Sequence, residues 1–166
     1  MTEIKVKEIL FCDEINYLTM QVLMEKFAGE KEVVLLLSSK GGNPEAALAF
    51  FNFIKLKKIS LTVNVLSSCE SAALILLCAG NRRIAAENCT FLLHQTTKSW
   101  SSDWCFNEKE IQDVLISLQN LNKLSIDVIA EVTKKPFDEI KALKYNETLL
   151  NAQQAFELGL LTEKPY

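Results

Sequence analysis

The stretch from Ser60 to Gly80, "SLTVNVLSSCESAALILLCAG", decides the fold class. Its first seven residues, "SLTVNVL", are rich in β-branched and apolar side chains and predict a strand. The "SSCE" that follows predicts a turn, and "SAALILLCAG" predicts a buried helix that ends at Gly80. The stretch therefore predicts a strand–turn–helix unit that places the hydroxyl of Ser71 at the start of a buried helix.

The same order of elements occurs upstream. "EVVLLLSS" (32–39) is a continuous apolar run, which is typical of a strand covered on both faces in a parallel sheet. Gly41 and Gly42 then form a turn, and Asn43 and Pro44 suit a helix cap and a first helical position. Further strands are predicted at "EILFC" and "CTFLLH". Alternating strands and helices predict an α/β domain with right-handed crossovers.

Three helical regions complete the predicted elements. Residues 13–30 show helical spacing that Gly29 ends, and the expected buried face consists of Ile15, Leu18, Val22, Leu23 and Phe27. Asn107 and Glu110 have the spacing of a capping box, so a long helix is expected from there to about Lys134. Shorter helices are predicted within 136–145 and 151–161. The long helix has more apolar positions than one domain covers, so we expect it to project or to dock on a partner.

Composition excludes several classes of protein. The 166 residues are 49% hydrophobic with a net charge of -3, and no dense basic cluster indicates a nucleic-acid partner. The longest apolar run, "AALILLCA", is far too short to span a bilayer, and the N-terminal residues lack the apolar segment of a signal peptide. Five cysteines without a C-x-x-C pair indicate small buried hydrophobes in a reducing compartment. We expect a single cytoplasmic domain over 1–166, without metal or cofactor and without a membrane or nucleic-acid partner.

The candidate catalytic residues lie where predicted strands end. Ser71, His94 and the pair Gly41–Gly42 each have a plain structural interpretation, as a helix cap, a strand-terminating histidine and a turn. In open α/β sheets, however, functional groups collect at the carboxyl ends of the strands. A serine nucleophile, a histidine base and free backbone N–H groups are together what acyl transfer requires.

Three segments in order, "LLLSSKGGNPEAALAFFNFI", "SSCESAALILLCAGNRRIAAENCTFLLHQ" and "LLNAQQAFELGLL", resemble the ClpP family, the proteolytic subunit of ATP-dependent Clp protease. The resemblance covers nearly the whole chain. It implies an α/β, ClpP/crotonase-like fold of repeated β-α units with a projecting handle helix, in a handle region of about 95–134. It also implies a serine peptidase.

The resemblance assigns roles residue by residue. Ser71 matches the nucleophile, His94 the general base, and Gly41 and Ala72 the two backbone donors of the oxyanion hole. Glu147 stands at the position of the family's catalytic aspartate. The chain departs from the family pattern where Lys40 replaces a proline, and where Ser67 and Glu70 replace a glycine and a small residue.

The expected function is therefore that of a serine endopeptidase that hydrolyses peptides or unfolded proteins within an oligomeric chamber. Alternatives are a catalytically inactive ClpP-like subunit with an assembly or regulatory role, a Ser–Lys peptidase with Lys40 as base, and acyl-CoA chemistry on the related crotonase fold. The resemblance implies a homo-oligomeric ring, a heptamer or double heptamer. Family members carry an N-terminal segment that contacts a Clp ATPase and has no counterpart in this sequence, so we expect either no unfoldase or weak docking at the rim.

Overall fold

The computed structural model describes residues 6–99 and 105–166. Residues 1–5 and 100–104, the latter within the predicted handle region, lie outside the described residues. In chain order the described elements are β1 (Lys7–Phe11), α1 (Tyr17–Phe27), β2 (Glu32–Ser39), α2 (Pro44–Lys57), β3 (Ser60–Glu70), α3 (Ala73–Cys78), β4 (Arg82–Ala85), β5 (Thr90–Leu93), α4 (Glu108–Thr133), α5 (Phe137–Tyr145), β6 (Thr148–Asn151) and α6 (Ala152–Leu158).

These strands form one mixed sheet. β1, β2 and β3 are parallel neighbours, and β3 shares its other edge between β4 and β5, which both run parallel to it. β6 pairs antiparallel with β5 at the end of the order. The predicted α/β class is confirmed, and the parallel strands bring the ends of β2, β3 and β5 to one edge of the sheet.

The third strand is longer than predicted. Residues 67–70 were expected to form a turn, but Ser68, Cys69 and Glu70 pair with Thr90, Phe91 and Leu92 of β5. This pairing joins residues about 22 positions apart in sequence, and no local pattern specifies it. The four-residue strands β4 and β6 were not predicted, because each is too short to show a period of its own.

The predicted buried face of the first helix is partly wrong. Asn16 caps α1, so Ile15 precedes the helix; it is fully buried, and its backbone forms a bridge with Gly42. Within the helix the fully covered side chains are Met20, Leu23 and Phe27, at helical spacing. Leu18 and Val22 lie on the opposite side, with exposed fractions of 70% and 44%.

The long helix forms where the capping-box spacing predicts it. The Asn107 side chain accepts from the Glu110 N–H at 3.0 Å, and the Glu110 carboxylate accepts from the Asn107 N–H at 2.9 Å. α4 then runs without interruption to Thr133, where Lys134 takes a left-handed conformation. Its second half is the buried half and packs beside α3 and α5.

Two glycines with similar backbone angles differ in their surroundings, and they allow a matched test. Gly41 has φ +96° and a Cβ there would lie 2.7 Å from the Glu70 carbonyl oxygen and 2.8 Å from the Ser71 Cβ, whereas Gly29 has φ +86° with open space around it. Gly29→Ala should cost only the left-handed strain, about 1 kcal/mol of unfolding free energy. Gly41→Ala should cost about 1–3 kcal/mol more, because the methyl group overlaps the strand end.

Urea denaturation of the two variants and the wild type measures this difference. Equal losses of unfolding free energy in both variants would contradict the close approach of the glycine loop to Ser71.

Candidate active site

Ser71 lies between the end of β3 and the start of α3 in a left-handed conformation, with φ 56°. Its N–H donates to the Leu92 carbonyl of β5 at 2.8 Å. The residue that caps α3 is Ala72, and no side chain caps this helix. Ser71 therefore does not act as the helix cap, and its half-buried side chain is presented on a strained strand-to-helix turn, as nucleophilic serines are in other α/β enzymes.

The Gly41 N–H is not free to bind an oxyanion. It donates to the Ser39 hydroxyl oxygen at 3.1 Å, while that hydroxyl donates to the Asp13 carbonyl at 2.7 Å. The loop after β2 is thus fixed to the segment before α1. This differs from the role that the resemblance gives Gly41, and Gly41 instead supplies a backbone without a side chain against Ser71.

The neighbouring Gly42 has the exposed donor. The Ile15 N–H donates to the Gly41 carbonyl at 2.8 Å, and the Ile15 carbonyl accepts from the Asn43 N–H at 2.7 Å. The N–H of Gly42, the residue between these two partners, therefore points away from Ile15. Within residues 6–99 and 105–166, the N–H groups of Gly42 and Ala72 have no hydrogen-bond partner. Both residues line the cavity that contains Ser71.

His94 follows β5 by one residue and lines this same cavity. The cavity has a volume of about 60 Å³. Its lining combines backbone of the glycine loop, the Ser71 turn and polar side chains from three other elements: Gly42, Pro44, Ser71, Ala72, Leu74, Ile75, His94, Thr96, Thr97, Ser125, Ile129 and Lys144. The structure therefore brings Ser71, Ala72 and His94 together, as the sequence predicts.

Glu147 is adjacent in the strand register but does not touch the cavity. Leu93 pairs with Thr148 in the antiparallel β5–β6 ladder, so His94 and Glu147 occupy the next opposed positions. The Glu147 backbone is left-handed, with φ 50°, and its side chain is exposed. No hydrogen bond joins its carboxylate to His94 in the described structure.

Lys40, the alternative base, lies in a different place. It is exposed and lines a separate, open depression of about 700 Å³ with Cys12, Ser38 and Ser39. It does not line the cavity that holds Ser71.

Comparison with known proteins identifies the family of this chain. The model of the Clp protease family matches residues 5–163. The chain is also 30% identical over 139 residues to an ATP-dependent Clp protease proteolytic subunit of Dehalococcoides mccartyi, a match that covers 81% of this chain and 66% of that relative. The chain belongs to the Clp protease family. The family predicted from the sequence is confirmed, and the match spans about two thirds of the relative's length.

The cysteines of this Clp protease family member differ in burial. Cys69, Cys78 and Cys89 are buried, and burial raises the pKa of all three thiols, to about 12 for Cys78. Cys12 and Cys105 are exposed, so the expectation that all five cysteines are buried is wrong.

In the part of the chain that the structure describes, no cluster of His, Cys, Asp and Glu could hold a metal ion. Within the same ranges, no helix has the length and apolar character needed to cross a membrane.

One residue of the cavity was missed by sequence reasoning. Lys144 of α5 is only 5% exposed, and Ile140, one turn earlier, is fully buried. The signal was present in "FDEIKALKY", where a lysine stands four residues after an isoleucine, on the helix face expected to be apolar. Burial lowers the Lys144 pKa from its ordinary 10.5 to about 8.

A short chain of hydrogen bonds connects this lysine to the segment after His94. The Lys144 ammonium donates to the Ser125 hydroxyl, which donates to the Asn122 carbonyl at 2.9 Å. The Asn122 side chain accepts from the Thr96 N–H at 2.8 Å. α4 therefore holds both Lys144 and the residues beyond β5 in place around the cavity.

The lowered pKa makes stability depend on pH. Because the folded chain holds the Lys144 proton less tightly than the unfolded chain, the unfolded state binds more protons between about pH 8 and 10.5, and stability rises with pH across that window. Lys144→Met removes this effect, and Ser125 keeps its bond to the Asn122 carbonyl. We expect the variant to be the more stable form at pH 7, by up to about 3 kcal/mol, with the difference vanishing near pH 10.5.

Urea denaturation of both proteins at several pH values checks this expectation. The control is Lys141→Met, which replaces an exposed lysine on the same helix and should show no such pH-dependent difference from the wild type. A difference in unfolding free energy between Lys144→Met and the wild type that stays the same from pH 7 to pH 10 would contradict it.

Proposed function

We propose that the chain is a serine endopeptidase that cleaves peptides or unfolded proteins with Ser71 as its nucleophile. The observation that carries the proposal is the shared cavity, in which the strained Ser71 turn and His94 lie beside the unpartnered N–H groups of Gly42 and Ala72. Family membership supports it, because the relative from Dehalococcoides mccartyi is named as a proteolytic subunit.

The chemistry follows the roles that these groups fit. His94 takes the proton from the Ser71 hydroxyl as the oxygen attacks the substrate carbonyl carbon, and the carbonyl oxygen becomes an oxyanion. The N–H groups of Gly42 and Ala72 donate to that oxyanion. The imidazolium then gives its proton to the leaving amine, the C–N bond breaks, and an acyl-enzyme remains. Water, deprotonated by His94, attacks the ester and releases Ser71.

Glu147 is the residue we propose to orient His94. It stands opposite the histidine in the β5–β6 register, and a carboxylate there stabilises an imidazolium and fixes its tautomer. Its side chain is exposed in this structure, so the role requires the carboxylate to turn from solvent toward the ring.

A second cleft extends the cavity and suits an extended peptide. It has a volume of about 240 Å³, shares Gly42, Pro44 and Thr96 with the first cavity, and continues along α4 beside Val114 and Leu121. Its lining mixes apolar side chains with polar and charged ones, among them Glu45, Lys98 and Ser117, and such a mixed cleft can receive a peptide chain of varied sequence. This arrangement supports peptides or unfolded chains as substrates.

Hydrolysis of a fluorogenic peptide set tests the proposed roles. Ser71→Ala and His94→Ala should each lower kcat by at least about 1000-fold, and Glu147→Gln by about 100-fold or more, because these groups act on one proton transfer. The N–H groups of Gly42 and Ala72 belong to the backbone, so side-chain substitutions do not test their proposed role.

Glu8→Gln, an exposed glutamate of β1, is the control and should retain wild-type turnover. Full activity in Ser71→Ala would remove the proposed nucleophile. A folded wild type that cleaves no peptide would instead favour a catalytically inactive subunit with an assembly role.

We also propose that the chain assembles into a homo-oligomeric ring, a heptamer or double heptamer, through the first half of α4. Three apolar side chains of this half are about half exposed: Ile111, Leu115 and Ile116. Such a surface on a long helix is typical of a protein interface. A ring would enclose the Ser71 sites within a chamber.

Sedimentation velocity at micromolar concentration measures the assembly, and the expected particle is a multiple of the 18.7 kDa chain. The double variant Ile111→Glu and Leu115→Glu should lower the particle mass, whereas Leu56→Glu, on the 81% exposed Leu56 of α2, should not. A stable wild-type monomer would contradict the ring.

A further inference from the structure

Lys144 is a buried cation in the wall of the cavity that contains Ser71 and His94. Its ammonium donates to the Ser125 hydroxyl. Across residues 6–99 and 105–166, the ion pairs all involve other residues, and no carboxylate lies against this lysine. The ammonium thus lies in the cavity wall without a counterion.

A buried ammonium without an anion is unfavourable. Lysine has three N–H donors, and removing the charge from water has a cost that a single neutral hydroxyl does not offset. Burial accordingly lowers the pKa of Lys144 to about 8, with no opposing contribution from a nearby carboxylate. An anion that enters the cavity would supply the missing partner, and its charge-assisted hydrogen bond would be stronger than the bond to Ser125.

The place of the lysine indicates which anion it binds. Gly42 and Ala72 line this cavity together with Lys144. A substrate carbonyl held by the N–H groups of Gly42 and Ala72 would therefore lie at the cavity wall, and the side chain of the residue that bears it could enter the cavity. Ile75 and Ile129 supply apolar wall, and Lys144 supplies the charge. A volume of about 60 Å³ fits a short side chain.

We propose that the Lys144 ammonium binds the side-chain carboxylate of the substrate residue whose carbonyl Ser71 attacks, so that the chain cleaves after acidic residues, aspartate above all. This specificity rests on the proposed peptidase function. It makes Lys144 a specificity-determining residue that contacts the substrate, while Ser125 and Asn122 hold it in place.

Paired substrates test the proposal. The peptides acetyl-Ala-Ala-Asp and acetyl-Ala-Ala-Asn, each joined to aminomethylcoumarin, differ only in the charge of an isosteric side chain, and the blocked ends leave the aspartate as the one carboxylate. The ratio of kcat/KM for the aspartate substrate to that for the asparagine substrate should be about 10–100 in the wild type, as expected for a hydrogen bond between charged groups. It should fall to about 1 in Lys144→Met and stay at the wild-type value in Lys141→Met.

A binding measurement separates this inference from the proposed peptidase function. Calorimetric titration of Ser71→Ala with the amide-blocked peptides acetyl-Ala-Ala-Asp-amide and acetyl-Ala-Ala-Asn-amide needs no turnover. Tighter binding of the aspartate peptide by about tenfold or more, lost in the Ser71→Ala, Lys144→Met double variant, would support the carboxylate site even if the wild type hydrolysed no peptide.

Three results would overturn the inference. The first is an equal preference for the two peptides in both assays. The second is a preference for aspartate that persists in Lys144→Met. The third is loss of cleavage of both substrates in Lys144→Met together with an active His94→Ala, because Lys144 would then be the general base and not a contact for the substrate side chain.

Discussion

The close packing of the Gly41 backbone against the Ser71 turn is the constraint on which the site depends. A single Cβ at Gly41 would lie within 3.0 Å of Glu70, Ser71 and Ala72 atoms, so only glycine allows the loop after β2 to reach the end of β3. The Ser71 N–H bond to the Leu92 carbonyl fixes the same turn to β5, the strand that leads into His94. One point of contact therefore sets the position of Ser71, of the Gly42 and Ala72 N–H groups and of His94.

The sequence predicts those parts of the structure that local patterns specify. The bounds of β2 and the start of α4 follow from a continuous apolar run and from the capping pair Asn107 and Glu110, both of which act over a few residues. The extension of β3 through Glu70 could not be predicted, since it depends on pairing with β5 across an intervening helix. The same is true of the site, because whether Gly41 or Gly42 is the proposed oxyanion donor depends on which way each N–H points in the folded loop.

Lys144 departs from a local rule of helix burial, and it does so in the wall of the Ser71 cavity. Position 144 lies on the buried face of α5, where an apolar side chain would pack without loss, yet it carries an ammonium whose burial lowers the pKa to about 8. Buried ionisable groups with perturbed pKa values are more frequent at functional sites than elsewhere in proteins. Hydrogen bonds through Ser125 and Asn122 connect Lys144 to Thr96, which also lines the second cleft.

Ser71 as an activated nucleophile is the central claim, and a fluorophosphonate probe tests it most directly, since such probes phosphonylate serines that a base activates. The folded protein is labelled, its intact mass is measured, and the modified peptide is identified by mass spectrometry, with heat-denatured protein as the control. The account predicts one adduct per chain, located on Ser71 and absent from the denatured sample. Folded protein without an adduct, or an adduct on any other serine, would contradict it.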